Sequence, residues 1–381
     1  MSVKIVIAID SFKGSVTSVE AGNAICAGVL HAVPNAEVTV LPLADGGEGT
    51  VEALTAGMNG QIQRVTVTGP LGTPVEAIYG TIPEKGLAVI DMSQAAGLSL
   101  VPAAMRNPMN TTTFGVGEII RHALDAGCRD FIIGIGGSAT NDCGIGMLSA
   151  LGCVFRSENG DVLEGYGRDL ERIASFDLSG LDGRIAACTL RIACDVNNPL
   201  CGENGCSAVY GPQKGATPEI VASMDGAIRR FSELVLQKTR RDQAALPGAG
   251  AAGGLGYAFS VFLNGALEPG ISIILDTIGL AEAVQGADFV ITGEGKLDFQ
   301  TTMGKAPIGV AEIAKQGGAV VIAFCGTAFD DANACNAHGI DAFFPILRAP
   351  MSLEHAMMPK TTLDNLQATA EQVFLLIKAL R

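Results

Sequence analysis

The chain has 381 residues, 48% of them hydrophobic and 17% charged, so it is long enough for two domains and too apolar to be largely disordered. A net charge of −14 argues against non-specific binding to nucleic acid or an anionic membrane surface. With 5% aromatic residues and no tryptophan, an aromatic platform for nucleic-acid bases is also disfavoured, whereas a small anionic ligand held by backbone dipoles is not.

Val3 to Ile9 reads as a buried strand that Asp10 interrupts, too short and too early broken for a secretory signal. Thr17-Ser18-Val19-Glu20 is a capping box that opens a helix to about Val33. Val38 to Leu43 follows as a strand and Thr50 to Met58 as a short helix. Arg64 to Met92 reads as three strands with turns at Gly69-Pro70, Gly72-Thr73-Pro74 and Pro83 to Gly86. Phe131 to Ile135 is a strand before a helix near Ile145 to Leu151, and Leu190 to Cys194 is another strand. Asp288 to Thr292 and Ala319 to Cys325 are strands flanking a helix from Pro307 to Gln316. Leu363 to Leu380 is an amphipathic helix. Alternating strands and helices predict an α/β fold with a parallel sheet. The less regular stretches predict an inserted α+β domain at 61–105 and 156–286, leaving 1–60, 106–155 and 287–381 as the α/β domain, with the active site in the cleft between the two.

Ten cysteines form no C-x-x-C pair, and none of the four histidines stands at metal-ligand spacing. They read as buried thiols of a reducing compartment. No apolar run reaches the length of a membrane span, so a soluble cytoplasmic protein without membrane or nucleic-acid partners is expected.

Ligands of open parallel sheets bind beyond the carboxyl ends of the strands. The segments there are Asp10 to Ser15, Ala44 to Thr50, Gly134 to Asp142, Gly293 to Asp298 and Gly326-Thr327. Surface turns use the same small and acidic residues, but five such loops exceed what turns alone explain. Two glycine-rich stretches, Gly134 to Asp142 and Pro247 to Gly256, precede helices and could cradle phosphate on backbone N–H groups. The pattern Gly134-x-Gly136-x-x-Ala139, with Glu158 downstream, also matches a dinucleotide fingerprint by letters and keeps an NAD(P)-dependent oxidoreductase open. There is no Walker A sequence and no protein-kinase signature. Lys13, Lys214, Lys296 and Lys305 lie in glycine-flanked loops where they could clamp an anion, or simply be solvated. Asp10, Asp45, Glu48, Asp195, Glu294 and Asp298 could hold Mg²⁺ or act as a base, or form Asx turns. Asn141 and Asp142 could cap the following helix.

At these loops, from Lys4 to the last helix, the chain resembles the bacterial glycerate kinase family. The likeness rests on Asp10-Ser11-Phe12-Lys13, Ala44 to Thr50, Gly134 to Asp142, Ala193 to Leu200, Tyr210 to Ala216, Pro247 to Gly256 and Thr292 to Asp298. It implies a flavodoxin-like parallel-sheet domain with a restriction-enzyme-like α+β domain inserted. It also implies ATP-dependent phosphorylation of D-glycerate with Mg²⁺, at the 2-hydroxyl, with the 3-hydroxyl product and a non-catalytic glycerate sensor as other readings. A homodimer is left open. From position and chemistry, Lys13, Asp195 and Asp298 are the expected catalytic residues. Gly136, Gly137, Ser138, Thr140, Asn141, Gly250, Gly253 and Gly254 are expected to hold ATP. Asp10, Ser11, Asp45, Lys214, Glu294 and Lys305 are expected at the substrate, with Asp10 and Asp298 as metal ligands. Where this chain has Ile9, Gly14 and Cys143, the family usually carries proline, glutamate and glycine respectively.

Overall fold

A computed structural model describes residues 3–44 and 49–380, in two compact units: residues 3–44, 49–59 and 271–380, and residues 60–270. Thirteen strands run through the described residues: β1 (Lys4–Ile9), β2 (Glu37–Pro42), β3 (Gln61–Thr68), β4 (Pro74–Ile82), β5 (Leu87–Asp91), β6 (Asp130–Gly134), β7 (Val154–Arg156), β8 (Ser175–Asp177), β9 (Thr189–Ala193), β10 (Ala266–Glu268), β11 (Phe289–Leu297), β12 (Val320–Ala328) and β13 (Ala342–Pro345).

The first unit is built on a five-stranded sheet of order β13-β12-β11-β1-β2, with every neighbouring pair parallel. Parallel neighbours need crossover connections, and helices supply them. Ile5, Ile7 and Ile9 alternate along β1 and join a core with Ile25 and Val29 of helix Ser18–Ala32 and Phe374 of helix Pro359–Leu380. That first helix starts where the capping box predicts: Glu20 N–H donates to Thr17 Oγ1 and Thr17 N–H to Glu20 Oε2, so two otherwise orphaned donors are satisfied locally. From β1 the chain steps to β2 on one side, and β11 lies on the other side of β1. The strand order therefore reverses between β1 and β11, which in an open α/β sheet opens a crevice at their carboxyl ends.

The second unit holds a six-stranded sheet of order β10-β9-β6-β5-β4-β3. Strands β5, β6, β9 and β10 are parallel, while β4 pairs antiparallel with both β3 and β5. A separate ribbon pairs β7 with β8. The core gathers Tyr79, Phe131, Phe155, Phe231 and Phe259. This sheet runs in one direction of strand order without a reversal.

Three expectations change. Residues 106–155, expected in the first domain, lie in the second unit, because β6 pairs with β5 and β9 instead of with the β1 sheet. Residues 271–286 conversely belong to the first unit. The strand expected to stop at Thr292 continues to Leu297, through the glycine-rich stretch read as a loop. Gly293 makes this continuation feasible: its φ is +145°, and a Cβ there would lie 1.8 Å from the Phe324 carbonyl of β12.

Candidate active site

The crevice at the switch point is a cavity of about 660 Å³, lined wholly by residues of the first unit. Asp10, which follows β1, is buried; its N–H donates to the Gly293 carbonyl, and its Oδ1 accepts from Ser11 N–H at 2.6 Å. The loop from Asp10 brings Ser11 and the exposed Lys13 to the cavity. The extended end of β11 brings Glu294 and Lys296, and Lys305 precedes the helix Ala306–Gln316. Glu294 is oriented by Thr301 Oγ1, which donates to it at 2.7 Å, and Lys305 Nζ lies 3.8 Å from its other oxygen.

Asp298 stands just beyond β11. Lys296 Nζ lies 2.6 Å from its Oδ2, and Oδ1 accepts from Gln300 N–H, capping the 3₁₀ turn Phe299–Met303. The Lys296 ammonium, above all, holds the Asp298 carboxyl below its ordinary range, and Asp298 in turn raises Lys296. Both stay charged at neutral pH, with Lys296 also 4.6 Å above the Phe329 ring. Asp45 and Glu48 lie outside the described residues.

The remaining expected residues belong to the second unit. At the carboxyl end of β6, Gly136 and Gly137 are exposed and nothing fills the space where a Gly136 Cβ would stand. Ser138, Thr140 and Asn141 beyond them are buried. Beneath this turn the buried Lys214 donates from Nζ to Ser138 Oγ at 2.8 Å and to the Thr140 carbonyl at 2.6 Å. Asn141 Nδ2 donates to Ser207 Oγ. Asp142 accepts from the Thr113 N–H and hydroxyl, Gly144 N–H and, in the first turn of the helix Ile145–Ala150 whose N-cap is Gly144, Gly146 N–H, while burial raises its pKa.

Gly250, Gly253 and Gly254 are buried against backbone. Ala252, Gly253 and Gly254 take left-handed conformations in sequence, and Cys143 N–H donates to the Gly253 carbonyl. A Cβ on Gly253 would lie 2.1 Å from the Thr140 carbonyl oxygen. Close packing thus accounts for these glycines: Gly250 against the Asn198 and Pro199 backbone, Gly253 against Thr140 and Asn141, and Gly254 against Cys143 and Leu200. Cys143, with φ +52°, also sits where glycine is at ease, which gives the family's usual glycine at this position a physical reason. Asp195, exposed past the end of β9, accepts from Gly270 N–H at 2.9 Å.

The dinucleotide reading loses its acid. Glu158 lies in an exposed turn after β7, on the antiparallel ribbon. The fingerprint needs an acid at the end of the parallel strand next to β6. Sequence reading also missed the cavity's apolar wall, formed by Phe12, Phe329, Ile346, Leu347, Leu353 and Met357. Apart from Phe12, which stands inside Asp10-Ser11-Phe12-Lys13, those residues carry no local motif. The ten cysteines are unpaired, and no helix among the described residues is long and apolar enough to cross a membrane.

Burial lowers the Lys214 pKa to about 8 from 10.5. A lysine depressed in the folded state binds fewer protons there than when unfolded, so its contribution to stability improves as pH rises from about 8 toward 10.5. The stability difference between wild type and Lys214→Met, by urea titration, is therefore expected to shift in favour of wild type by on the order of 2 kcal/mol over that window. A pH-independent difference would place the buried ammonium in a different protonation state.

The family model for the glycerate kinase family matches residues 5–378. Curated relatives include a glycerate kinase of Halalkalibacterium halodurans, 47% identical over 93% of each chain, and one of Bacillus subtilis, 46% identical over 98% of each chain. A glycerate 2-kinase of Escherichia coli is 44% identical over 93% of each chain. A crystal structure of a protein given as putative glycerate kinase 2 from Salmonella typhimurium superposes with a TM-score of 0.91 at 47% identity, covering 100% of this chain and 99% of that one. With a family model spanning nearly its whole length and relatives this close, the chain belongs to the glycerate kinase family.

Proposed function

We propose that the protein transfers the γ-phosphoryl group of ATP to the 2-hydroxyl of D-glycerate, giving 2-phosphoglycerate and ADP. The observation that carries this reading is the gathering of Asp10, Lys13, Glu294, Lys296 and Lys305 around one cavity at a strand-order reversal. Phosphoryl transfer needs positioning and charge neutralisation more than covalent chemistry, and alternating ammonium and carboxylate groups suit that demand. The choice of the 2-hydroxyl follows the name of the Escherichia coli relative. The finer fold assignment, a flavodoxin-like unit with a restriction-enzyme-like one, goes with the same reading.

In the step itself the glycerate oxygen bonds to the γ-phosphorus, the bond from that phosphorus to the β–γ bridging oxygen breaks, and the hydroxyl proton leaves to a carboxylate. Lys13 is assigned to the charge of the transferring group, with Lys296 and Lys305 around it. Asp195 is assigned to orient the hydroxyl, and the open Gly136–Gly137 turn to an anionic group of a substrate. Lys214, engaged with Ser138 and Thr140, acts as a positioning residue for that turn.

Mg²⁺ would shield the phosphates. It prefers one or two carboxylates completed by phosphate oxygens and water, and Asp10 and Glu294 on one cavity wall supply hard oxygen donors of that kind. Asp298, paired with Lys296 and capping the Phe299–Met303 turn, fixes the Lys296 ammonium beside these donors.

Phosphorus NMR of the product formed from D-glycerate and MgATP is expected to show 2-phosphoglycerate. A 3-phosphoglycerate signal would move the assignment to the other hydroxyl, and no phosphoglycerate would end the kinase reading. In an ADP-release assay Asp195→Asn is expected to lower kcat by about 100-fold or more, the range expected when the attacking hydroxyl is no longer held in place. Normal turnover in that variant would remove Asp195 from the mechanism.

A further inference from the structure

The cavity of the first unit is larger and less polar than a three-carbon acid requires. Its volume, about 660 Å³, is in the range that encloses ligands of drug or nucleotide size. Glycerate has no apolar face, so it would leave the inner wall bare. That wall is formed by the buried Phe12 together with Phe329, Leu347, Leu353 and Met357. The last four are 50%, 41%, 74% and 37% exposed, so large apolar side chains converge on solvent around one opening. Scattered exposed apolar residues need no explanation, but a contiguous group lining a cavity marks a binding surface.

The same cavity also carries Lys13, Lys296 and Lys305. Lys296 joins the apolar and the charged parts: its ammonium lies 4.6 Å over the Phe329 ring and 2.6 Å from Asp298. A ligand that satisfies both parts has a flat, weakly polar ring at one end and several negative charges at the other. We infer that this cavity is the nucleotide site, with the adenine against Phe329 and Leu347 and the polyphosphate toward the three lysines. The inference rests on the kinase reading and names which of its two substrates the cavity takes. It moves the base of ATP away from the glycine-rich turns of the second unit, whose buried glycines are occupied by backbone packing.

The chain contains no tryptophan, so a single introduced one reports on the cavity alone. In Phe329→Trp, excited at about 295 nm to select the indole over tyrosine, MgATP is expected to change the emission saturably. Inorganic tripolyphosphate is expected to compete with it while causing a smaller change, because it lacks the ring, and D-glycerate alone to leave the emission unchanged. Adding Leu347→Asp places a carboxylate against the proposed base site and is expected to raise the half-saturating MgATP concentration at least about tenfold. In the enzyme carrying Leu347→Asp alone, the KM for ATP should rise with it, and the KM for glycerate should stay within about twofold. Should Phe329→Trp fail to fold, Leu353→Trp, at the more exposed rim, serves as the reporter.

Three results overturn the inference: no response to MgATP from either reporter, a response to glycerate alone, or Leu347→Asp raising the KM for glycerate while sparing ATP. Failure of the kinase reading is distinct from these, since wild type would then form no phosphoglycerate whatever the tryptophan emission reports on nucleotide binding.

Discussion

Lys13→Ala is expected to lower kcat/KM for glycerate phosphorylation by about 100-fold or more, with the melting temperature shifted by no more than about 2 °C. The side chain is exposed, in a loop whose next residue, Gly14, turns with φ +78°, so removing it leaves no cavity in the core. What it removes is a positive charge at the rim where β1 and β11 part. Such a charge counts most when negative charge spreads over the transferring group and water is displaced from around it. Lys13→Arg keeps the charge but changes its shape and reach, and is expected to retain more activity than Lys13→Ala. A coupled ADP-release assay measures both variants. Turnover of Lys13→Ala within a few-fold of wild type would show that the group acts elsewhere.

Gly253→Ala is expected to produce the largest loss of stability of any single methyl added to the glycine-rich segments, about 3–5 kcal/mol in urea titration. Two causes act together. The residue has φ +67°, which an alanine tolerates poorly, and the added carbon would meet the Thr140 carbonyl oxygen at 2.1 Å and the Asn141 Cα at 2.6 Å. Neither contact can be relieved by rotating a side chain, since both partners are backbone. Gly136→Ala is the control. A Cβ there meets nothing within 4 Å and its φ lies outside the left-handed region, so its stability should stay within about 0.5 kcal/mol of wild type. A neutral Gly253→Ala would mean that the segment is held apart from Thr140 in solution, and would restore it as a candidate phosphate-binding loop.

The pair also explains why the two glycine-rich stretches look alike as letters. Glycine is required both where a ligand comes close and where another stretch of backbone does, and the one-dimensional pattern is the same. At Gly136 the space beside the Cα is open; at Gly253 it is filled by Thr140 and Asn141, far away in the chain. The same ambiguity affected β11, where Gly293 read as part of a loop and proved to be the residue at which β11 lies closest to the Phe324 backbone of β12.

Charged residues carry a similar lesson. Of the four lysines in glycine-flanked loops, three reach one cavity, while Lys214 is buried beneath a turn of the other unit. Their sequence surroundings are alike; only the depth at which each is placed separates an anion clamp from an internal brace.

Local features were legible in the order of residues alone: the capping box at Thr17 and Glu20, the strand–turn–strand run from Arg64, the apolar strands and the acidic and basic residues at their ends. Each depends on neighbours a few positions apart, so dihedral preference and periodicity suffice. The family likeness was legible for the same reason, as ordered short motifs. Which sheet β6 joins was settled by three-dimensional packing, because a buried parallel strand is an unbroken apolar run whichever partners it finds. Packing likewise assembled the apolar half of the cavity, whose residues come from the loop after β1, the segment following β12 and the stretch from Ile346 to Met357. Contacts between such distant segments arise only when the chain is folded, and no spacing within it encodes them.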